Sequence, residues 1–298
     1  MPNRRNMLKS AALAGAAALT GITLTGTSST LFAHDDKKDY YSGGAPWADL
    51  RGWKLGCQAY SFNRFTFEEA VEKNASMGLR YIESYPGQKI SREIDAAMGP
   101  GLTKKQRFEV KSILAKHQVV VLNFGVAAAN KESFDFAADM GIETICCEPE
   151  FNELPALSKL ADEYKINIAL HNHPSPSRYW DYKTVLAQIK DLSPRVGACA
   201  DTGHYLRSGI NPLEAIKALK GRIISFHFKD LNKEGKDGHD VPWGTGVADL
   251  PAILAELDAQ RFRGVFSIEY EHNWDNSVPE IAQCVEFFNE QAKKLAQG

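Results

Sequence analysis

Residues 166–201, INIALHNHPSPSRYWDYKTVLAQIKDLSPRVGACAD, contain the pattern that decides the fold. An apolar run at 166–171 ends in a histidine, a helix-like segment follows at 181–192, and a second apolar run at 196–201 ends in an aspartate. Apolar runs of this length are typical of buried strands. The stretch therefore predicts a strand–helix–strand unit with a polar residue at the end of each strand.

The same unit repeats along most of the chain. Eight apolar runs predict strands at 54–60, 80–84, 118–124, 142–147, 166–171, 196–201, 222–228 and 264–270. Amphipathic segments predict helices near 103–116, 131–140, 155–164, 181–192, 212–219, 249–259 and 278–296. Eight alternating units predict an α/β fold, a single-domain (β/α)8 TIM barrel, rather than a doubly wound sheet.

Two local features refine this assignment. Thr66 and Glu69 have the spacing of a capping box, which predicts that a helix begins there. The segment 85–102 contains irregularly placed glycines and prolines, which indicates a loop insertion. No G-x-G-x-x-G motif connects the first strand to the first helix, which argues against a dinucleotide-binding fold.

The N-terminal segment differs from the rest of the chain. Two arginines in the string RRNMLK precede a long uncharged run of small and apolar residues, and Ala33 is a plausible cleavage point. The string resembles a twin-arginine export signal, so we expect a periplasmic or exported protein. An uncleaved membrane anchor is the alternative interpretation. The expected signal peptide, linker and barrel occupy 1–33, 34–49 and 50–298.

Composition argues against two classes of partner. The net charge is −2, and the first 33 residues hold three basic residues and no acids, so the exported part would carry about −5. A mildly acidic protein lacks the electrostatic footprint that nucleic acids or anionic membranes recognise. The five cysteines are odd in number and lie mostly inside apolar runs, which predicts buried free thiols. We expect a small-molecule substrate, and a homodimer is compatible with a barrel of this kind.

Several of the strand ends carry potential metal ligands. The predicted fifth to eighth strands end at or near His171, Asp201, His227 and Glu269. Carboxylates and imidazoles that converge on the carboxyl rim of a barrel are suitable ligands for one divalent metal. The candidates are Mn, Zn, Co and Mg.

The strings ALHNHP, ADTGHYLRSG, SFHFKDL and SIEYEHNW resemble the xylose isomerase-like barrel superfamily, in its sugar phosphate isomerase/epimerase branch. The resemblance covers roughly residues 53–295. It implies that a Glu, an Asp, a His and a Glu on strands five to eight hold a metal, and that the two Glu ligands act as paired bases. Asp201, His227 and Glu269 match this pattern, whereas His171 replaces the Glu of strand five.

This replacement leaves the second base open. Glu148 at the end of strand four and His173 are candidate replacements, and Glu269 remains a candidate base. Lys229 shares a strand face with His227, so it is a candidate acid, with a structural ion pair as the alternative.

Further residues are candidates for contact with a substrate. Glu83 ends the second predicted strand, and His204 lies one helical turn beyond the sixth. The remaining candidates are Arg207 and Trp243, and beyond them Tyr60, Trp274 and Arg178.

Three functions follow as hypotheses. The first is a metal-dependent isomerase or epimerase that acts on a non-phosphorylated sugar through an enediolate, because phosphorylated sugars are cytoplasmic. The second is a metal-dependent lyase or hydrolase of 3-keto-glycosides, which needs one base and one acid. The third is a non-catalytic carbohydrate-binding barrel. A nuclease of the superfamily is disfavoured, since the third strand ends near Asn123 and the net charge is negative.

Overall fold

Eight parallel strands close into a barrel in the computed structural model, which describes residues 39–298. Neighbouring strands pair in chain order, and the last strand pairs with the first. The strands are β1 (Trp53–Gln58), β2 (Tyr81–Ser84), β3 (Val120–Phe124), β4 (Thr144–Cys147), β5 (Asn167–His171), β6 (Val196–Asp201), β7 (Ile223–Phe228) and β8 (Gly264–Ile268). The predicted TIM barrel is thereby confirmed.

Helices surround this barrel and alternate with its strands. Within residues 39–298 they are α1 (Pro46–Leu50), α2 (Phe67–Ser76), α3 (Lys104–Lys116), α4 (Lys131–Met140), α5 (Leu154–Tyr164), α6 (Tyr182–Ile189), α7 (Thr202–Arg207), α8 (Pro212–Ala218), α9 (Leu250–Ala259) and α10 (Val278–Gln297). None of the helices in this part of the chain has the length and apolar character needed to cross a bilayer.

Side-chain caps determine where several helices begin. Thr66 and Glu69 form the predicted capping box at the start of α2, and Thr103 does the same with Gln106 at α3. Each box satisfies backbone amides that the first helical turn leaves without a partner. In α7, Asp201 is itself the cap, because its Oδ1 accepts a hydrogen bond of 2.7 Å from the His204 amide. This cap fixes the orientation of a residue of the functional site.

The N-terminal region of the described chain differs from the linker expected at 34–49. Helix α1 begins at Pro46 within that segment, and Ala45 and Ala48 are buried. The Trp47 amide also donates a hydrogen bond of 3.0 Å to Asn289 Oδ1 on α10. The chain therefore packs against the last helix before β1 begins. The expected signal peptide at 1–33 lies outside the described residues.

An aromatic layer fills the space between β7, β8 and α10. The rings of Phe226 and Phe266 stack with their centroids 4.9 Å apart, and Phe288 of α10 lies 4.9 Å from Phe266. Such burial is the main stabilising contribution to a fold of this size. The five cysteines are buried and free, as the sequence predicted.

Candidate metal and substrate site

Four polar side chains meet at the carboxyl-terminal rim of the barrel. His171 and Asp201 end β5 and β6, His227 lies one residue before the end of β7, and Glu269 follows β8 directly. Asp201 is paired in register with His227. One ligand atom of each residue lies within 4.8 Å of the others. We call these residues the four-ligand cluster.

The atoms that face one another in this cluster suit a metal ion. His171 Nε2, Asp201 Oδ2 and His227 Nδ1 are buried and make no hydrogen bond of acceptable geometry within residues 39–298. His171 Nε2 lies 3.6 Å from Asp201 Oδ2, and His227 Nδ1 lies 3.1 Å from Glu269 Oε2. Buried polar atoms normally have partners, so their convergence indicates a missing ligand. Two imidazoles and two carboxylates fit a divalent metal of the Zn or Mn type.

Glu83 holds His227 from below the cluster. Its Oε1 lies 2.9 Å from His227 Nε2, and its Oε2 accepts hydrogen bonds from Ser267 and Asn123. A carboxylate that binds the outer nitrogen of a histidine directs the other nitrogen toward the metal. The prediction that Glu83 binds substrate is wrong, because this side chain is fully buried and bonded on both oxygens.

Glu148 holds His171 in the same way from the opposite side. Its Oε1 lies 3.0 Å from His171 Nδ1 and also contacts His173 Nδ1. Burial alone would raise the pKa of Glu148, but the hydrogen bonds with both imidazoles lower it to about 2. Burial likewise works to lower the pKa of His171, whereas the facing carboxylates of Asp201 and Glu148 raise it to about 9. Glu148 thus contacts both histidines and is not among the residues that line the cavity described below, and its role as a base stays a prediction.

Lys229 places a buried ammonium group among three carboxylates. Its Nζ lies 3.0 Å from Asp201 Oδ2, 2.7 Å from Glu269 Oε2 and 2.8 Å from Glu271 Oε2. Burial would lower the pKa of Lys229, but these carboxylates raise it well above the ordinary value. These contacts match the structural ion pair that was the alternative interpretation of Lys229, and only the one with Glu271 has the geometry of a hydrogen bond among the described residues. The role of Lys229 as an acid stays a prediction. Gly203 makes room for this side chain, since a Cβ there would lie 2.8 Å from Lys229 Cδ.

Arg207 supports the site from outside the cavity. Its guanidinium lies 3.0 Å from Asp240 Oδ2, 3.3 Å from Glu271 Oε2 and 3.0 Å from His204 Nδ1. The guanidinium is thus bonded to protein groups, and Arg207 is not among the residues that line the cavity described below, so its contact with substrate stays a prediction. Burial also lowers the pKa of His204 well below its ordinary value, although Asp201 acts in the opposite direction.

A cavity of about 350 Å³ opens above the four-ligand cluster. This volume lies at the lower end of the range for small-molecule sites, which is roughly 300–1,000 Å³. Its functional lining consists of Tyr60, Tyr85, His173, His204, Glu269 and Glu271. Tyr60 also makes edge contacts with Tyr85 and Trp274, at centroid distances of 5.2 and 5.8 Å. The lining of the cavity therefore combines an aromatic group with polar side chains.

Trp243 does not belong to this cavity, contrary to prediction. It is 2% exposed and packs its ring against Phe228 and Phe288, at centroid distances of 4.9 and 5.8 Å. The loop after β7 turns this large apolar side chain inward, because burying it in the aromatic layer removes more apolar surface from water than a position at the rim would.

Sequence reasoning missed two polar residues that line the cavity. Glu271 stands two residues after Glu269, and the alternation around Tyr270 would have placed both acids on one face. Gln58 ends β1, just as the chosen candidates end other strands, and its side chain bonds to the Gly125 carbonyl and the Tyr60 amide. The rule that selected the metal ligands would therefore have found Gln58 as well.

Comparisons with known proteins agree with this architecture. Residues 71–291 match the model of the family described as "Xylose isomerase-like TIM barrel". An inosose dehydratase of Bacillus thuringiensis is 25% identical over 252 residues, which is 70% of this chain and 83% of that protein. An uncharacterised protein of Parabacteroides distasonis has a solved structure that is 31% identical, with a TM-score of 0.66 over 80% of this chain and 99% of that one.

Two further solved structures share the fold at lower identity. A D-allulose 3-epimerase from Methylomonas sp. is 15% identical, with a TM-score of 0.64 over 80% of this chain and 98% of that one. A Mycobacterium smegmatis barrel in complex with magnesium is 12% identical, with a TM-score of 0.66 over 82% of this chain and 97% of that one. These likenesses support the fold alone.

Proposed function

The chain belongs to the xylose isomerase-like TIM barrel family, and from that premise we propose that it is a divalent-metal-dependent isomerase or epimerase of a non-phosphorylated sugar. The observation that carries the proposal is the four-ligand cluster, in which His171 Nε2, Asp201 Oδ2 and His227 Nδ1 are buried without a hydrogen bond among the described residues. Its fourth member, Glu269, lines a cavity with space for a small molecule. A catalytically silent sugar-binding barrel would have no use for such a cluster, because two imidazoles and two carboxylates that meet at one point are the ligands of a divalent cation.

The residues that would hold the metal are His171, Asp201, His227 and Glu269. A divalent ion at such a site polarises a substrate carbonyl and stabilises the enediolate that forms when a neighbouring proton leaves. Glu83 and Glu148 orient the two histidines by binding their outer nitrogens. These supporting contacts hold the ligands in position before any substrate arrives.

Glu269 is the carboxylate best placed to move the proton. It belongs to the four-ligand cluster and also lines the cavity. Lys229 and His227 both contact its Oε2, at 2.7 and 3.1 Å, so Oε1 is the oxygen left to receive a proton. A general base must reach the proton that it removes, and among the ligands of the cluster Glu269 is the one that lines the cavity.

The charges around the cavity favour a neutral substrate. The charged residues that line it are Glu269 and Glu271, both of which are acids. The nearest cations, Lys229 and Arg207, are already paired with carboxylates. A phosphate group would therefore meet two acidic side chains and no unpaired cationic side chain in the lining of the cavity.

Elimination from a keto-sugar or keto-polyol is the second candidate. It is favoured by His171, which stands where the family resemblance places the Glu that would act as the second base on the other face of the sugar carbon. A site with one carboxylate base and nearby imidazoles suits the removal of one proton and the protonation of a leaving hydroxyl. The relative named inosose dehydratase is consistent with this reading.

Export by the twin-arginine route is also part of the proposal. It is supported by the string RRNMLK and the uncharged run that follows it. Cell fractionation of the native chain, beside a variant with both Arg4 and Arg5 changed to Lys, tests it. The native protein should reach the periplasm and the variant should accumulate in the cytoplasm. Equal distribution of the two would contradict the proposal.

The metal is the first thing to measure. Plasma mass spectrometry of the purified protein should find about one equivalent of divalent metal, which His227→Ala and Glu269→Ala should each abolish. His117→Ala is the matched control, because His117 caps the end of α3 far from the cluster and should leave the metal content unchanged. The proposal would be contradicted if the native protein bound no metal after incubation with Mn²⁺ and Zn²⁺.

The reaction can then be followed in deuterated water with a panel of free ketoses and keto-polyols. An isomerase or epimerase should introduce deuterium at the carbon next to the carbonyl and return a sugar of the same mass apart from the label. Elimination should instead give a product lighter by one water. Neither product from any member of the panel, with metal bound, would favour the binding-protein hypothesis.

A further inference from the structure

Two carboxylate oxygens of the four-ligand cluster also contact a cation of the protein itself. Asp201 Oδ2 lies 3.6 Å from His171 Nε2 and 3.0 Å from Lys229 Nζ. Glu269 Oε2 lies 3.1 Å from His227 Nδ1 and 2.7 Å from Lys229 Nζ. Each oxygen is therefore shared between an imidazole of the cluster and the ammonium group. In enzymes that use two metal ions, the ions lie about 3.5–4 Å apart, so the ligands of the two positions are similarly close together.

Glu271 gives the position of the ammonium group a ligand of its own, because it is not a member of the four-ligand cluster. Its Oε2 accepts a hydrogen bond of 2.8 Å from Lys229 Nζ. One potential ligand atom each of His204, Glu269 and Glu271 lies within 4.8 Å of the others. Three carboxylate oxygens around one point, with an imidazole beside two of the carboxylates, are a ligand set that divalent metals of the Zn or Mn type accept.

The spacing at this position is close to that of a coordinated metal ion. The ammonium nitrogen lies 2.7–3.0 Å from the three carboxylate oxygens, whereas a metal of the Zn type binds carboxylate oxygens at about 2.0–2.2 Å. Each oxygen would thus have to move inward by less than about 1 Å to bind a metal at the same point. The position has the ligands and the approximate size of a second metal site, and an ammonium group fills it.

The fold fixes Lys229 at this position. Thr202 Oγ1 lies 2.8 Å from both the backbone nitrogen and the backbone oxygen of Lys229. The close approach of the Lys229 stem to Gly203 leaves no space for a larger residue there. Because the side chain is buried as well, the ammonium group is a built-in component of the site.

We propose that the Lys229 ammonium group occupies a second cation position, so that the native site binds one divalent metal where its carboxylates could hold two. One divalent ion and the ammonium group together balance the three negative charges of Asp201, Glu269 and Glu271. A second divalent ion would have to displace the ammonium group and leave a buried charge without its partners, which is costly. This inference rests on the proposed function for the presence of the first metal, and it makes Lys229 the residue that sets the metal stoichiometry.

Metal stoichiometry tests this inference without any substrate. The full-length native protein and Lys229→Ala are dialysed against Mn²⁺, and the bound metal is counted by plasma mass spectrometry. The native protein should bind about one equivalent, and Lys229→Ala about two, because the second position has lost its ammonium group. Lys131→Ala, which removes an exposed lysine that pairs with Asp135, is the matched control and should bind as much as the native protein. Two equivalents in the native protein, or one in folded Lys229→Ala, would overturn the inference.

Glu271 identifies where the second ion lies. Glu271→Gln alone should leave the single ion of the native protein in place, whereas the double variant Lys229→Ala/Glu271→Gln should bind one ion fewer than Lys229→Ala. Electron paramagnetic resonance gives a second measurement, since neighbouring Mn²⁺ ions couple magnetically. Lys229→Ala should lose the resolved hyperfine pattern of an isolated ion, and the double variant should regain it. Two uncoupled ions in Lys229→Ala, or loss of the metal from Glu271→Gln, would contradict the assignment.

The failure of this inference is distinguishable from the failure of the proposed function. The metal content of the native protein and of Glu271→Gln tests the inference even where Lys229→Ala does not fold. A native protein without any bound Mn²⁺ would count against the proposed function. One bound ion in the native protein and two in Lys229→Ala, without deuterium incorporation into any sugar, would support the inference and count against the proposed function alone.

Discussion

Replacing Lys229 by methionine should destabilise the metal-free protein and make its stability depend strongly on a divalent cation. Lys229 is 1% exposed, and its ammonium group lies within 3.0 Å of the carboxylates of Asp201, Glu269 and Glu271. Methionine keeps much of the length and the apolar stem, so the change removes mainly the charge. Three acids then face one another without a cation between them.

The expected loss of stability follows from the burial of Lys229 together with its carboxylate partners. At an effective dielectric constant of about 20, each contact near 3 Å contributes roughly 5 kcal/mol of Coulomb energy, and the desolvation of the ions offsets much of it. Removing one partner of a buried ion pair typically costs about 3–5 kcal/mol. For a protein of this size, such a loss corresponds to a fall in Tm of roughly 6–20 °C.

Urea unfolding with chelator and with excess Mn²⁺ measures the effect. With chelator, Lys229→Met should lose about 3–5 kcal/mol relative to the native chain. With Mn²⁺ the difference should shrink, because the bound cation compensates Asp201 and Glu269. Lys131→Met, which disrupts the exposed ion pair with Asp135, is the control and should leave the midpoint near the native value. Equal stability of Lys229→Met and native protein in chelator would refute the reasoning.

Three further outcomes are expected. Glu83→Gln should weaken metal binding by roughly 10–100-fold, because the variant lacks the carboxylate that orients His227. Competition with a chelating dye measures the affinity, and an unchanged value would contradict the supporting role of Glu83. Trp243→Ala should lower the free energy of unfolding in urea by about 3–5 kcal/mol, while the metal content per folded chain stays at the native value. A loss of metal with unchanged stability would indicate instead that Trp243 belongs to the functional site. Burial raises the pKa of Asp240 to about 7, so the folded protein keeps a proton that the unfolded chain, with a pKa of about 3.9, has already released. The free energy of unfolding should therefore fall as the pH rises from about 4 to 7, and Asp240→Asn should flatten this slope; parallel pH profiles for the two proteins would contradict the assignment.

The barrel was readable from the sequence because its strands are short apolar runs separated by helices with clear starts. Helix α4 occupies the predicted range 131–140, and the Thr66–Glu69 capping box is present. Helix α7 was not predicted, since its six residues are too few to show a helical repeat. The packing of α1 could not be predicted from the sequence either, because a helix of five residues is too short to show a periodic pattern of apolar residues.

The residues of the candidate site also fall into a group that the sequence could predict and a group that it could not. Residues at strand ends share one rim whatever the details of packing, so His171, Asp201, His227 and Glu269 were found together. The direction in which a side chain leaves that rim depends on its partners. Glu83 was predicted to meet substrate, yet it points below the cluster because His227, Ser267 and Asn123 hold it there. Those partners come from three other strands, which no local pattern reveals.

The contacts of Lys229 and Glu271 have one explanation in common, which is that His171 stands where the family resemblance places a Glu on strand five. A carboxylate at that position would add a negative charge to a site that already contains Asp201 and Glu269. Here an imidazole takes the position, while Glu271 and Lys229 join the site from neighbouring strand ends. Lys229 and the three carboxylates that it contacts carry a net charge of −2, which a divalent cation neutralises. The site thus keeps the charge that a metal requires although one acidic ligand is gone, and the acid that faces the cavity, Glu271, is held by Lys229 and Arg207 rather than by the metal.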